Sequence, residues 1–450
     1  MRMKTIFQGC IRAAVLFGLA LQAMPAAPTR SVELDVEMST PALLTGGRQK
    51  AYVRIALTGL DTQRMRAPVN AAIVLDQSGS MSGPKIEEAK RAAIMAIDQL
   101  RDDDIVSVVT YQSTVDVLVP ATKLYDRETI RRAIRGIRAG GKTALFAGVS
   151  KGARELEKFL DRNRVNTLLL LSDGLANVGP SSPGELAQFG ESLGRQGISV
   201  TTIGLGLQYN EDLMTRLAMA SDGNHFFVED EGDLEAAFAT ELGDVLSTVA
   251  QGVTIHIHCP EGVRPLRMVG REARISGQDV RASLNQIFRD QTRYLLLEVE
   301  VPAASAGKVQ QVADVTVGYR DLAAGSQATL RGGASVTFTN SATTVEQRRN
   351  RDVMVAVASQ IGVERNEVAT ALRDEGKIEE SREAFRANSA FLKKESEKLN
   401  DVRLRQDAAS NYEASENLDE KGWVRERKQQ QELQYKTKNQ RVSSPKQKKD

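Results

Sequence analysis

Residues 71–80 read Ala-Ala-Ile-Val-Leu-Asp-Gln-Ser-Gly-Ser, an apolar run that ends in one carboxylate and two hydroxyls. The run at 71–75 predicts a buried strand of a parallel sheet, because both faces of such a strand are covered. Pro84 follows, and it suits the first position of the helix that the amphipathic residues 85–100 predict. Ligands of open α/β sheets bind beyond the C-terminal ends of the strands. The loop that begins at Asp76 is therefore a candidate binding site.

Asp76, Ser78 and Ser80 offer only hard oxygen donors. Such donors suit Mg²⁺, Mn²⁺ or Ca²⁺ rather than Zn²⁺. Three protein donors do not complete an octahedral shell, so other loops, water or a ligand must contribute. The alternative is a Ser/Gly-rich loop in which Asp76 only helps to cap the next helix.

Two further loops carry one oxygen donor each. Thr143 ends the segment Gly-Gly-Lys-Thr at 140–143, just before a second helical pattern. Asp173 ends a run of leucines at 168–171 that predicts another buried strand. Both donors therefore belong to loops that can converge on the first loop.

The three loops together resemble the metal-ion-dependent adhesion site of the von Willebrand factor type A domain. That site has a DxSxS loop, a threonine on a second loop and an aspartate on a third. The five matching positions here are Asp76, Ser78, Ser80, Thr143 and Asp173.

The resemblance implies that these five residues hold a divalent cation, with Mg²⁺ expected and Mn²⁺ or Ca²⁺ as alternatives. It also implies an open coordination position that takes an Asp or Glu side chain of a partner protein. The expected role is cation-dependent binding or assembly at the bacterial cell envelope, without catalysis. Some bacterial relatives are labelled calcium-activated chloride channel homologues, but the sequence has no pore-forming segment. The alternatives are a structural envelope module with an unused metal site and a metal-dependent hydrolase.

A competing motif overlaps the second loop. Residues 136–143, Gly-Ile-Arg-Ala-Gly-Gly-Lys-Thr, satisfy the phosphate-binding loop pattern of ATPases. That loop must follow a strand, whereas residues 128–137 have helical periodicity. The ATPase interpretation also leaves the Asp76 loop unexplained, so we favour the adhesion site.

Histidines suggest a second metal-site hypothesis. His256 and His258 would share one face of a strand, and Cys259 is nearby, so a zinc site is conceivable. The third histidine, His225, is also distant from the site loops in the sequence. No general base is evident for a hydrolase. We favour ordinary sheet residues at 256 and 258.

Composition limits the other function classes. The chain has 450 residues, 41% of them hydrophobic, and a net charge of +2, so we expect no nucleic-acid partner. Residues 1–27 form a secretory signal pattern, with a positive start and a short apolar run. No later segment predicts a membrane span. Removal of the signal leaves Cys259 without a disulfide partner. We therefore predict an exported periplasmic or extracellular protein.

Strand and helix patterns alternate across residues 67–249, which predicts a doubly wound, mostly parallel α/β sheet. The patterns also predict an antiparallel edge strand at 115–119. The predicted parallel strands lie at 71–75, 105–111, 166–171, 200–205 and 225–228. The predicted helices lie at 86–100, 128–137, 144–160, 184–195, 211–220 and 234–246.

Residues 31–66 and 250–340 show alternating apolar and polar positions, which is typical of half-buried antiparallel strands. Their placement on both sides of the α/β region predicts one β-sandwich with that region inserted in it. Residues 343–400 have helical periodicity. Residues 405–450 are polar and end in a lysine-rich segment, which predicts a disordered basic tail.

Overall fold

A computed structural model describes residues 30–62, 66–175 and 178–440 of the chain. The signal pattern predicted at residues 1–27 lies outside these described residues. Among the helices of the described ranges, none is both long and apolar enough to cross a membrane.

Strands are numbered in chain order. They are β1 (Val32–Met38), β2 (Ala42–Leu44), β3 (Gln49–Gly59), β4 (Val69–Asp76), β5 (Ile105–Tyr111), β6 (Val115–Lys123), β7 (Val165–Ser172), β8 (Ile198–Leu205), β9 (His225–Val228), β10 (Thr248–His258), β11 (Arg264–Val269), β12 (Arg274–Ser276), β13 (Asp279–Phe288), β14 (Thr292–Val301), β15 (Val309–Asp321) and β16 (Ser326–Thr339).

Helices are numbered in the same way. They are α1 (Pro84–Gln99), α2 (Arg127–Arg135), α3 (Leu145–Glu157), α4 (Pro183–Gln196), α5 (Glu211–Ala220), α6 (Leu234–Leu246), α7 (Ala342–Gln347), α8 (Arg351–Asp374), α9 (Ile378–Leu399), α10 (Val402–Glu416) and α11 (Glu420–Lys438).

The α/β region is built on a six-stranded sheet in the order β6-β5-β4-β7-β8-β9. Every neighbouring pair is parallel except β5 and β6, so β6 is the antiparallel edge strand. Strand β4 lies between β5 and β7 and is buried at every position. The predicted doubly wound, mostly parallel sheet is confirmed.

Helices cover both faces of this sheet. Successive residues of β4 face opposite ways, so the strand contributes apolar side chains to the packing on each face. Ile73 and Leu75 pack in a core that includes α1 and α6. Val74 packs in a second core that includes α3, α4 and α5. Burial of each such aliphatic side chain stabilises the fold by roughly 1.5–3 kcal/mol. The two cores hold β4 in the middle of the domain, with Asp76 at its C-terminal end.

Two other sheets are formed by strands before and after the α/β region. One has the order β1-β3-β14-β11, and the other has the order β12-β13-β10-β15-β16-β2. One hydrophobic cluster contains residues of both sheets, such as Ile55 of β3 and Ile255 of β10.

The C-terminal part differs from the prediction. Helices α8 and α9 occupy the predicted helical segment, but residues 405–440 are not a disordered tail. They belong mainly to α10 and α11. Residues 441–450, the end of the predicted tail, lie outside the described residues.

Hydrogen bonds between buried polar side chains explain why the polar composition of α10 and α11 wrongly predicted disorder. Trp423 and Tyr435 of α11 are buried. Asn366 of α8 donates hydrogen bonds to Asn411 Oδ1 at 2.9 Å and to Gln430 Oε1 at 2.7 Å. Buried polar side chains of α10 and α11, such as Asn411 and Gln430, therefore pair with another helix instead of with water.

Candidate metal centre

The first loop folds back on the carboxylate at its start. Strand β4 ends at Asp76, and a 3₁₀ turn follows at Gly79–Met81. Asp76 Oδ1 accepts a hydrogen bond of 2.8 Å from the backbone N–H of Ser78. Ser78 Oγ and Ser80 Oγ lie 3.1 Å apart. Asp76 and Ser78 are buried, whereas Ser80 is exposed. The loop therefore gathers one carboxylate and two hydroxyls at the end of β4.

The second loop is fastened to the first by two backbone hydrogen bonds. The Gly140 N–H donates to the Gln77 carbonyl at 2.7 Å, and the Gly79 N–H donates to the Gly141 carbonyl at 3.1 Å. Thr143 lies two residues beyond this contact and is buried. These bonds bring the threonine to the Asp76 loop.

The third loop begins directly after β7 with Asp173, which is fully buried. Its Oδ1 accepts a hydrogen bond of 2.6 Å from Ser80 Oγ. A Cβ atom on the neighbouring Gly174 would lie 3.4 Å from Ser80 Oγ and 3.4 Å from Thr143 Oγ1. Both hydroxyls therefore border the third loop. All five residues singled out in the sequence lie together at the C-terminal edge of the sheet.

Two residues that sequence reasoning missed hold the other oxygen of Asp76. Ser172 Oγ donates a hydrogen bond of 2.9 Å to Asp76 Oδ2. The Tyr111 hydroxyl lies 3.3 Å from the same oxygen and donates to the Leu171 carbonyl at 2.9 Å. Tyr111 is opposite Asp76 in the register of β4 and β5, a pairing that the sequence patterns did not predict.

A third missed residue is Lys85, in the first turn of α1. Its Nζ lies 2.6 Å from Asp173 Oδ2. The sequence pattern treats this lysine as part of an amphipathic helix. Only the docking of α1 beside β7 brings it to the centre.

Burial dominates the electrostatics of the site. Burial raises the pKa of Asp76, and the charge of Asp173 raises it further, while hydrogen bonds from Ser78 and Ser172 lower it. Burial also raises the pKa of the Tyr111 hydroxyl well above its usual range. The phenol therefore stays protonated and remains a hydrogen-bond donor at neutral pH.

The donor set fits a hard divalent cation. Two buried carboxylates are opposed by one ammonium, that of Lys85, and burial of uncompensated charge is costly. The remaining donors are hydroxyl oxygens, which suit Mg²⁺, Mn²⁺ or Ca²⁺. Asp76, Ser78, Ser80, Thr143 and Asp173 are the residues that would hold such an ion.

The zinc alternative has no site in the described residues. Cys259 is buried and free, whereas His256 and His258 are exposed and share Asp279 Oδ1 at 3.0 Å each. Within residues 30–62, 66–175 and 178–440, no three His, Cys, Asp or Glu side chains are arranged to hold a metal ion. The candidate centre differs from such a cluster because three of its five donors are hydroxyls.

The phosphate-binding loop alternative also fails on context. The segment 136–143 follows helix α2 and precedes α3. A phosphate-binding loop of this type follows a strand. The loop instead positions Thr143 at the candidate metal centre.

Sequence comparison identifies relatives of parts of the chain. Residues 70–240 match the von Willebrand factor type A domain. The chain is 27% identical over 309 residues to the uncharacterized protein sll0103 of Synechocystis sp., which covers 65% of this chain and 72% of that protein. It is 29% identical over 165 residues to inter-alpha-trypsin inhibitor heavy chain H3 of Rattus norvegicus, which covers 35% of this chain and 18% of the relative.

Two solved structures share the fold over most of the chain. A von Willebrand factor type A protein from Catenulispora acidiphila aligns with a TM-score of 0.66 at 17% identity, covering 84% of this chain and 89% of that chain. The ArnB paralog VWA2 from Sulfolobus acidocaldarius aligns with a TM-score of 0.63 at 18% identity, covering 91% and 98%. Together with the sequence match, these structures establish that residues 70–240 form a von Willebrand factor type A domain.

Proposed function

We propose that this protein binds a divalent cation with Asp76, Ser78, Ser80, Thr143 and Asp173, and that it uses the cation to bind an acidic side chain of a partner protein. The observation that carries the proposal is the meeting of three separate loops, which bring these five oxygen-bearing side chains together beside Lys85. Mg²⁺ is the proposed ion, because it retains waters that a carboxylate can displace.

Each residue has a distinct part in this proposal. Ser78, Ser80 and Thr143 are neutral donors. Asp76 and Asp173 are therefore the two proposed ligands whose negative charge opposes that of the ion. The bound cation would supply a Lewis-acidic position at the domain surface. Ser172 and Tyr111 keep Asp76 oriented by holding its second oxygen. Ser80 is the exposed member of the set, and a partner would approach from its side.

The comparisons support a role in protein binding. The von Willebrand factor type A match and the relative named as an inhibitor heavy chain suggest protein association or assembly. We propose export through the signal pattern at residues 1–27 and a role at the cell envelope. We also propose that the two mostly antiparallel sheets, which share one hydrophobic cluster, form a β-sandwich that carries the inserted domain.

Calorimetric titration with Mg²⁺ and Mn²⁺ tests the cation site. We expect the natural protein to bind, Asp76→Ala to lose binding while staying folded, and Asp314→Ala to bind normally. Asp314 is a matched control because it is an exposed aspartate of β15, outside the α/β region. Absence of binding to the natural protein would instead indicate a structural module with an unused site.

A pull-down from the native envelope tests the partner. Proteins captured by the natural protein in Mg²⁺, but not after chelation or with Asp76→Ala, are the expected result. Equal capture under all three conditions would contradict a cation-bridged interaction.

A further inference from the structure

Lys85 places an ammonium against the candidate centre. Its Nζ lies 2.6 Å from Asp173 Oδ2, while Ser80 donates to the other oxygen, Oδ1, also at 2.6 Å. Asp173 is fully buried, and the Lys85 side chain is 31% exposed. Both oxygens of the carboxylate therefore have a donor, and one of the donors carries a full positive charge.

The position of this lysine in its helix is unusual. Lys85 is the second residue of α1, directly after Pro84. The N-terminus of a helix carries a partial positive charge, so a cation in the first turn is unfavourable there. The ion pair with Asp173 compensates for that position. Gly206 borders the ammonium, since a Cβ at that glycine would lie 3.9 Å from Nζ, an ordinary contact distance.

The charges of the site determine how Lys85 affects cation binding. Asp76 and Asp173 contribute two negative charges, and Lys85 removes one of them locally. We propose that Lys85 is a built-in counter-cation that stabilises the metal-free centre and weakens divalent-cation binding, so that the centre fills and empties with the surrounding cation concentration. The inference rests on the proposed cation site and adds its regulation.

Two opposite effects follow for one variant. Lys85→Met removes the charge but keeps a long unbranched side chain. The metal-free protein should melt at a lower temperature, because Asp173 loses its ammonium. Cation affinity should rise about tenfold, because a charge close to the ion no longer repels it. A lysine that served packing alone would lower stability without raising cation affinity.

The experiment is calorimetric titration of Mg²⁺ and Mn²⁺ into the full chain, with melting curves in chelator and in excess Mg²⁺. Lys85→Met is compared with Lys85→Arg, which keeps the charge and should keep near-natural affinity. Lys308→Met is the control for net charge, because Lys308 is exposed and lies outside the α/β region. The affinity gain of Lys85→Met should shrink at high NaCl, because salt screens charges at a partly exposed site.

The outcomes separate this inference from the proposed function. Unchanged or weaker cation binding by Lys85→Met, with normal binding by the natural protein, overturns the role of Lys85 alone. Binding that appears only in Lys85→Met supports it strongly. Absence of binding by both proteins overturns the cation site and this inference together.

Discussion

Ser80 Oγ donates a hydrogen bond of 2.6 Å to Asp173 Oδ1, although the two residues are 93 positions apart in the chain. The bond joins the loop after β4 to the loop after β7, and these strands are neighbours in the sheet. It is a direct link between a hydroxyl and a carboxylate of the candidate centre. The contribution of Ser80 can therefore be tested in the metal-free protein as well as with a cation.

Ser80→Ala should destabilise the metal-free protein by about 1.5 kcal/mol, because Asp173 loses a hydrogen bond to a charged group. Urea denaturation in chelator measures this loss, and titration with Mg²⁺ should show weaker binding. Ser82→Ala is the control, since Ser82 is exposed and its hydroxyl donates to the Gly79 carbonyl at 2.8 Å. Similar effects in both variants would argue against a special role for Ser80.

Gly141→Ala should displace the loop that carries Thr143. Gly141 has a φ of +82°, and a Cβ there would lie 2.2 Å from Gln112 Oε1. We expect a loss of about 1–3 kcal/mol in the free energy of unfolding and weaker cation binding. The control is Gly140→Ala, because a Cβ at that glycine meets nothing within 4 Å. Thermal melts with and without Mg²⁺ measure both effects, and natural behaviour of Gly141→Ala would contradict the prediction.

His225 should make the protein sensitive to acid. Burial lowers the pKa of His225 from 6.5 to about 3, and its Nδ1 lies 2.8 Å from Thr202 Oγ1. Between these two pH values the unfolded chain binds the proton and the folded chain does not. Stability is therefore lost as the pH falls from 6.5 towards 3, by at most about 1.4 kcal/mol per pH unit.

Comparison of variants isolates this contribution. Asp407 acts in the opposite direction, because burial raises its pKa to about 6 and the folded chain then binds the extra proton. The measurement is urea denaturation at several pH values for the natural protein, His225→Gln and the exposed-histidine control His256→Gln. The pH slope should decrease in His225→Gln and persist in the control. An unchanged slope in His225→Gln would refute the assignment.

Lys428 should be essential for docking α11 onto the type A domain. Its side chain is 2% exposed, its Nζ pairs with Glu211, and it donates to the Tyr209 carbonyl at 3.0 Å. Lys428→Met leaves Glu211 with Arg427 as its remaining cationic partner, and we expect a loss of about 1.5–3 kcal/mol in the free energy of unfolding. Lys421→Met, an exposed lysine of the same helix, should cost little. Chemical denaturation of both variants measures the difference.

The local patterns of the sequence were enough to predict the central domain. Apolar runs identified β4, β5, β7 and β8, because parallel strands with helices on both faces are mostly apolar. The same strands predicted where their loops would meet. Asp76, Ser78, Ser80, Thr143 and Asp173 follow or precede regular elements, so their placement at one edge of the sheet follows from the order of those elements.

Only the tertiary structure showed which other residues surround the five site residues, and that residues 405–440 are mainly helical. Lys85 and Tyr111 reach the centre through the docking of a helix and the register of a strand, and a one-dimensional pattern does not record either. Composition predicted a disordered tail after residue 405, yet α10 and α11 are ordered. Their polar residues are stabilised by partners far away in the chain, such as Glu211 for Lys428. Polar composition predicts solvent exposure only when such partners are absent.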